Sequence, residues 1–201
     1  MSIQSDVQVG FIADENAADP DRLVTAARPN TSATMAETTF LGGGARNVTV
    51  TTTGTGDNAK TCTITGTDVF GNAITEVIVS TGSAEAVAGA KLFLTVSAVE
   101  CSAQYAANIT VGSGSLCASA VSGGNRTRMK GYSIVSAGTA GLVDFYNGTP
   151  EDGTIIFKAQ TLGTDNTTID NTIPDEGLLF GSGLTVGYTV ATVVLANIFF
   201  A

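Results

Sequence analysis

The segment at residues 60–81, KTCTITGTDVFGNAITEVIVST, constrains the fold more than any other part of the chain. Two runs rich in Thr, Ile and Val, at 61–67 and 73–80, flank the pentapeptide DVFGN. β-branched residues favour strands, and Asp, Gly and Asn favour tight turns. The segment therefore predicts an antiparallel β-hairpin.

Similar short runs recur along most of the chain, separated by turns rich in Gly, Asn and Asp. We expect the run at 47–53 to pair with 61–67, and residues 83–90 to form a short helix or a loop. The predicted strands are 47–53, 61–67, 73–80, 91–99 and 107–111 in the first half, and 132–137, 141–146, 154–159, 168–173, 177–180, 184–191 and 192–200 in the second.

This spacing predicts an all-β protein with two small antiparallel β-sandwich or barrel-like domains, at residues 41–118 and 131–201. Residues 119–130 between them are rich in Gly and Ser and then basic, without periodicity, and are predicted to be a linker.

Residues 1–40 lack sustained alternation and are predicted to form an extended N-terminal arm. A short helix is expected at 20–27, with Asp19 as N-cap and Pro20 at the first helical position. Two interpretations of the arm stay open. It either frays in solution or lies along a neighbouring subunit.

Charge argues against two classes of partner. The chain has 9 Lys and Arg against 18 Asp and Glu, a formal net charge of −9, which disfavours binding to nucleic acid and to anionic membranes. The 3 cysteines, Cys62, Cys101 and Cys117, form no even disulfide framework and are interpreted as reduced core thiols. The first residues resemble no secretory signal, which predicts synthesis in a cytoplasm.

Motifs for catalysis are scarce. The chain contains 0 His, which removes histidine-dependent triads and histidine-ligated zinc. Carboxylates such as Asp68, Glu151 and Asp175 stand in or beside turns, where Asp and Asn hydrogen-bond their own backbone, so structural roles are favoured over calcium binding. The sequence predicts no cofactor, no metal site and no enzymatic activity.

Two stretches carry a family resemblance. Residues 63–76, TITGTDVFGNAITE, with the strands at 91–99 and 107–112, resemble a segment of structural proteins of tailed bacteriophages. Residues 141–149, GLVDFYNGT, and 173–184, IPDEGLLFGSGL, are similar to capsid-associated modules of the same phages. The two stretches together cover about two thirds of the chain.

The resemblance implies a virion protein without catalysis, of the decoration or cement type, on the capsid exterior. Its expected partners are the major capsid protein and neighbouring copies of itself in a homotrimer. Alternatives are a tail or head-tail joining protein and a carbohydrate-binding adhesin or fibre module. The residues predicted to contact partners are Phe11, Ile12, Arg22, Leu23 and Arg28 in the arm and Arg126, Arg128 and Lys130 in the linker.

Overall fold

The computed structural model describes residues 7–12 and 17–201. These residues form an all-β chain of antiparallel strands in several sheets, without an α-helix, which confirms the predicted fold class. The chain divides into two compact units. Unit A lies within Asn16–Cys117, and unit B joins residues of Met1–Glu15 to Ala118–Ala201. Among the described residues, no helix has the length and apolar character needed to cross a membrane.

The strands are numbered in chain order. They are β1 (Gln8–Ile12), β2 (Val24–Ala27), β3 (Ala45–Thr52), β4 (Thr61–Thr67), β5 (Ala73–Val79), β6 (Val87–Phe93), β7 (Thr95–Cys101), β8 (Ile109–Ala120), β9 (Thr127–Ser136), β10 (Leu142–Asn147), β11 (Thr154–Gln160), β12 (Thr167–Thr172), β13 (Leu178–Phe180), β14 (Leu184–Thr189) and β15 (Val193–Phe200).

Unit A is a β-sandwich. In one sheet β6, β3 and β8 lie side by side with β2 paired to β8, and the other sheet has the order β5-β4-β7. The core between them takes Val48 and Ile109 from the first sheet and Ile64 and Val99 from the second. Side chains alternate along β4, with Thr half-exposed and Cys, Ile and Gly buried. Each fully buried aliphatic side chain contributes about 1.5–3 kcal/mol to folding.

Unit B also contains two groups of strands. One sheet has the order β1-β15-β9-β12, with β13 also paired to β9, and the strands β11, β10 and β14 lie side by side in that order. The rings of Tyr132 in β9, Phe145 in β10 and Phe157 in β11 meet pairwise with centroids 5.6–5.8 Å apart. These tilted contacts join β9 to the β10-β11 pair, and each strand predicted in this half is found within a few residues of its predicted position.

The predicted hairpin at 60–81 is confirmed as β4 and β5, which pair from Thr61↔Val79 to Thr67↔Ala73. Its turn is held by the buried carboxylate of Asp68. Oδ1 accepts hydrogen bonds from the backbone N–H groups of Phe70 and Asn72, each at 2.8 Å. Gly71 adopts φ +85°, a conformation that glycine takes without steric cost.

The predicted pairing of 47–53 with 61–67 is wrong. β3 pairs with β6 in one sheet, whereas β4 pairs with β5 and β7 in the other. A short 3-10 helix, Thr55–Asp57, follows β3 in place of a hairpin turn and takes the chain from one sheet to the other. The segment at 83–90, predicted as a short helix or a loop, is a loop only to residue 86, since β6 begins at Val87.

Residues 17–40, predicted to belong to an extended N-terminal arm, are packed into unit A. Leu23 and Val24 are fully buried, and the Leu23 N–H donates to Val111 O at 2.9 Å. The predicted helix at 20–27 is therefore replaced by β2. Both apolar residues are buried because this segment packs against β8. The free energy of that burial outweighs the tendency of Asp19 to start a helix as N-cap.

Half of the predicted linker at 119–130 is strand. β8 extends to Ala120 and β9 begins at Thr127, so only residues 121–126 connect them. Thr127 and Met129 are buried while Arg128 and Lys130 face outward, an alternation hidden in the sequence because a polar threonine occupies an inner position. The chain passes from unit A to unit B inside β8, after Cys117.

Candidate interaction surface

The eight predicted contact residues separate into three groups. Ile12 and Leu23 are buried and present no side-chain surface to a partner, because both complete a core. Four others are engaged within their own unit, and Phe11 and Arg126 remain exposed.

The four engaged residues are basic. In unit A, Arg22 Nε donates to Thr39 O at 3.3 Å, and the Arg28 guanidinium donates to Ala106 O. In unit B, Arg128 lies 3.0 Å from the carboxylate of Glu176, and Lys130 Nζ donates to Glu176 O at 2.9 Å. These side chains stabilise loops of their own unit, which reduces their availability to a partner.

Phe11 belongs to an apolar stripe on strand β1. Val7, Val9 and Phe11 alternate along the chain and are 45%, 56% and 67% exposed. Side chains two residues apart in a strand point to the same side, so Val9 and Phe11 share one face, and the exposed Val7 directly precedes the strand. Ile12 on the opposite face is buried, and a Cβ at Gly10 would meet the side chain of Val121. β1 thus has one face in the unit B core and one apolar face in solvent.

β1 also lies at the end of its sheet. It pairs with β15 from Gln8↔Phe200 to Ile12↔Ala196, and no other described strand pairs with it. An edge strand presents backbone N–H and C=O groups to which another strand can be added. The stripe and the edge together form a surface suited to strand addition.

An open cavity of about 410 Å³ lies beside this strand. Gln8 of β1 and Arg126 of the β8–β9 turn both line it, so residues far apart in sequence meet at one surface. Arg126 takes part in no salt bridge among the described residues. We call the outer face and free edge of β1, with Val7, Val9 and Phe11, the β1 surface. Gln8 and Arg126 line the cavity at the opposite face of the strand, the face that carries Gly10.

Of the carboxylates considered as calcium ligands, Asp68 binds its own turn. Glu76 in the following strand is likewise engaged, since its Oε1 accepts from the Ala90 N–H at 2.7 Å. Among the described residues, no group of three or more His, Cys, Asp or Glu side chains is placed to hold a metal ion.

Sequence reasoning missed the buried carboxylate of Asp57. It accepts hydrogen bonds from Thr52 Oγ1 at 2.9 Å, Lys60 Nζ at 2.7 Å and the backbone N–H groups of Ala106 and Ala107 at 2.6 and 3.0 Å. Burial by itself raises the pKa of Asp57, but the hydrogen bonds from Lys60, Ala106, Ala107 and Thr52 outweigh it, and the pKa lies well below its usual value. The spacing Asp-x-x-Lys in a turn was the available signal.

A second missed feature is the pairing of two cysteines. Cys62 in β4 and Cys101 in β7 are direct cross-strand partners, with Sγ atoms 3.9 Å apart. The Tyr105 hydroxyl lies 3.3 Å from Cys62 Sγ. The hydrogen bond from Cys101 lowers the pKa of Cys62, with Tyr105 adding to it against the effect of burial, and the hydrogen bond to Cys62 raises the pKa of Cys101.

Comparison of the chain with protein-family models, with curated proteins and with solved structures found no match.

Proposed function

We propose that this protein is a non-enzymatic structural component of a phage virion that binds the outer surface of the capsid and stabilises contacts between capsomers. In this proposal it acts as a symmetric oligomer, a trimer, and its main partner is the major capsid protein. The observation that carries the proposal is the β1 surface, where an edge strand exposes Val7, Val9 and Phe11 on one face.

The proposal also uses the resemblance to phage virion proteins. The segments that carry it are structural parts of the chain: 63–76 is the β4–β5 hairpin, and 173–184 contains β13 and the turns on either side of it. Glycines with positive φ occur in each, at Gly71, Gly177 and Gly183. These motifs therefore support a backbone framework shared with the phage proteins. In the proposal, the β1 surface and not these motifs contacts the partner.

Binding through the β1 surface has a physical basis. Contiguous exposed apolar side chains mark interaction sites more often than single ones do. A strand added along β1 would satisfy its free backbone groups and cover Val9 and Phe11. Arg126, at the cavity on the opposite face of β1, offers a positive group to a carboxylate of the capsid protein.

Capsids assembled without this protein provide the test. Wild-type protein is expected to co-sediment with them, and a Val9→Asp, Phe11→Asp double variant to bind at least about tenfold more weakly, because two charges would then have to be desolvated. Leu162→Asp is the matched control, since Leu162 is also in unit B and is 64% exposed. Deletion of 1–40 does not serve, because it removes Leu23 and Val24 from the unit A core.

The result that overturns the proposal is capsid binding by the double variant equal to that of the wild type, with both folded by circular dichroism. Failure of the wild type to bind capsids would also overturn it. Rings or filaments formed by the protein alone, seen by mass photometry and negative staining, would replace the capsid role with that of a tail or head-tail joining protein.

A further inference from the structure

Cys62 and Cys101 occupy a particular kind of position in the β4–β7 pair. The Ser102 N–H donates to Thr61 O at 3.0 Å, whereas the Cys101 N–H points away from β4 and donates to Thr31 O at 2.6 Å. Thr61 and Ser102 therefore form the hydrogen-bonded pair next to the two cysteines. Cys62 and Cys101 form the neighbouring non-hydrogen-bonded pair.

That position brings the two residues within disulfide range. In non-hydrogen-bonded antiparallel pairs the Cα atoms lie about 4.5 Å apart, at the short end of the roughly 4.4–6.8 Å found in disulfides. The Sγ atoms are already 3.9 Å apart. Closing to a bond of about 2.0 Å needs only small side-chain rotations, shared between the two sulfurs.

We propose that Cys62 and Cys101 are a redox-active pair that a low-molecular-weight disulfide such as oxidised glutathione converts into a cross-strand disulfide. The inference is independent of the capsid role. It replaces the expectation that both residues stay reduced core thiols. Cys117, which is buried and has its Sγ 3.8 Å from Ser115 O, keeps that role.

The chemistry is two thiol–disulfide exchanges. The oxidant reaches the partly exposed Cys101 sulfur and not the buried Cys62 sulfur. Although the hydrogen bond with Cys62 raises the pKa of Cys101, the fraction of Cys101 present as thiolate attacks one sulfur of the oxidant, and the other sulfur leaves as a thiolate. Cys62 Sγ, deprotonated in turn, attacks Cys101 Sγ and displaces the remaining half. One S–S bond is broken and one is formed, two electrons pass to the oxidant, and the two cysteine protons end on the two released thiols. The Tyr105 hydroxyl, 3.3 Å away, can donate to the Cys62 thiolate.

The test uses the folded full chain with Cys117→Ser as the reference, so that only the pair can react. Incubation in oxidised glutathione, followed by alkylation and mass spectrometry, should show a mass loss of about 2 Da and a cross-linked peptide joining Cys62 to Cys101. The oxidised chain should melt on the order of 5 °C higher than the reduced chain.

Two single-thiol variants act as controls. Cys62→Ser should stop at a glutathione adduct on Cys101, and Cys101→Ser should stay unmodified because Cys62 is buried. The proposal is overturned if the folded reference keeps both thiols, or ends as stable glutathione adducts, in a buffer that oxidises the same chain after unfolding in guanidinium. If a variant does not fold, peptide mapping of the oxidised wild-type protein decides the question, because it shows whether Cys62 and Cys101 are joined.

Discussion

Lys60 Nζ lies 2.7 Å from Asp57 Oδ1, and this ion pair joins a lysine that is 20% exposed to a carboxylate that is completely buried. The same carboxylate accepts from the backbone of Ala106 and Ala107, which precede β8. The Asp57 carboxylate therefore links the turn after β3 to a loop that lies nearly fifty residues further along the chain. A buried charge is tolerated here because four donors surround it.

Replacing Asp57 by Asn should destabilise unit A by about 2–4 kcal/mol, because the amide cannot accept all four hydrogen bonds and leaves Lys60 without its counter-charge. Urea denaturation followed by circular dichroism measures the loss. Glu85→Gln, an exposed carboxylate in the same unit, is the matched control and should change stability little. Equal stability of both variants would contradict the structural role of Asp57.

The low pKa of Asp57 also predicts how stability depends on pH. Since folding lowers this pKa, the unfolded chain binds the proton more tightly, and stability falls as pH drops below the unfolded value of about 3.9. Wild-type protein should lose more stability between pH 5 and pH 3 than Asp57→Asn does. The difference in free energy of unfolding between the two proteins therefore narrows on acidification. A constant difference over that range would show that Asp57 does not titrate with folding.

Asp68→Ala should cost about 1–3 kcal/mol, because it removes the charged acceptor of the N–H groups of the half-buried Phe70 and the exposed Asn72. Asp68→Asn keeps one side-chain oxygen and should lose less. Equilibrium unfolding of the two variants and the wild type measures these losses. If Asp68 stabilised the turn only through its charge, Asp68→Asn would lower the free energy of unfolding as much as Asp68→Ala.

The strands could be predicted from the sequence where one face is apolar and the other polar. The β4–β5 hairpin was predicted because Thr alternates with Ile and Cys and because Asp68, Gly71 and Asn72 suit a turn. The strands of unit B were found for the same reason. Such local signals do not report which strands pair, and the β3–β4 pairing was therefore wrong.

The candidate surface was predicted only in part. Phe11 and Arg126 were expected to be exposed and are, but nothing in the sequence places them in one unit. Leu23 was assigned to an extended arm because residues 1–40 show no sustained alternation, and its burial follows from pairing with β8. The Cys62–Cys101 contact likewise depends on the register of β4 and β7, which no local pattern determines.

Gly66, in the middle of β4, should not tolerate a side chain. A Cβ there would overlap the carbonyl oxygen of Thr95 in β7 and come within 3.0 Å of the Phe93 ring. The β4–β7 register shifts between Thr65 and Gly66, so the strands approach closely at this point.

Gly66→Ala is therefore expected to destabilise unit A by about 2–4 kcal/mol, since a backbone atom cannot move aside as a flexible side chain can. Gly181→Ala is the control, because a Cβ at that position meets nothing within 4 Å. Its unfolding midpoint should match that of the wild type or lie slightly above it. If Gly66→Ala unfolds at the same urea concentration as Gly181→Ala, β4 and β7 are not as close as described, and the short Cys62–Cys101 separation loses its support as well.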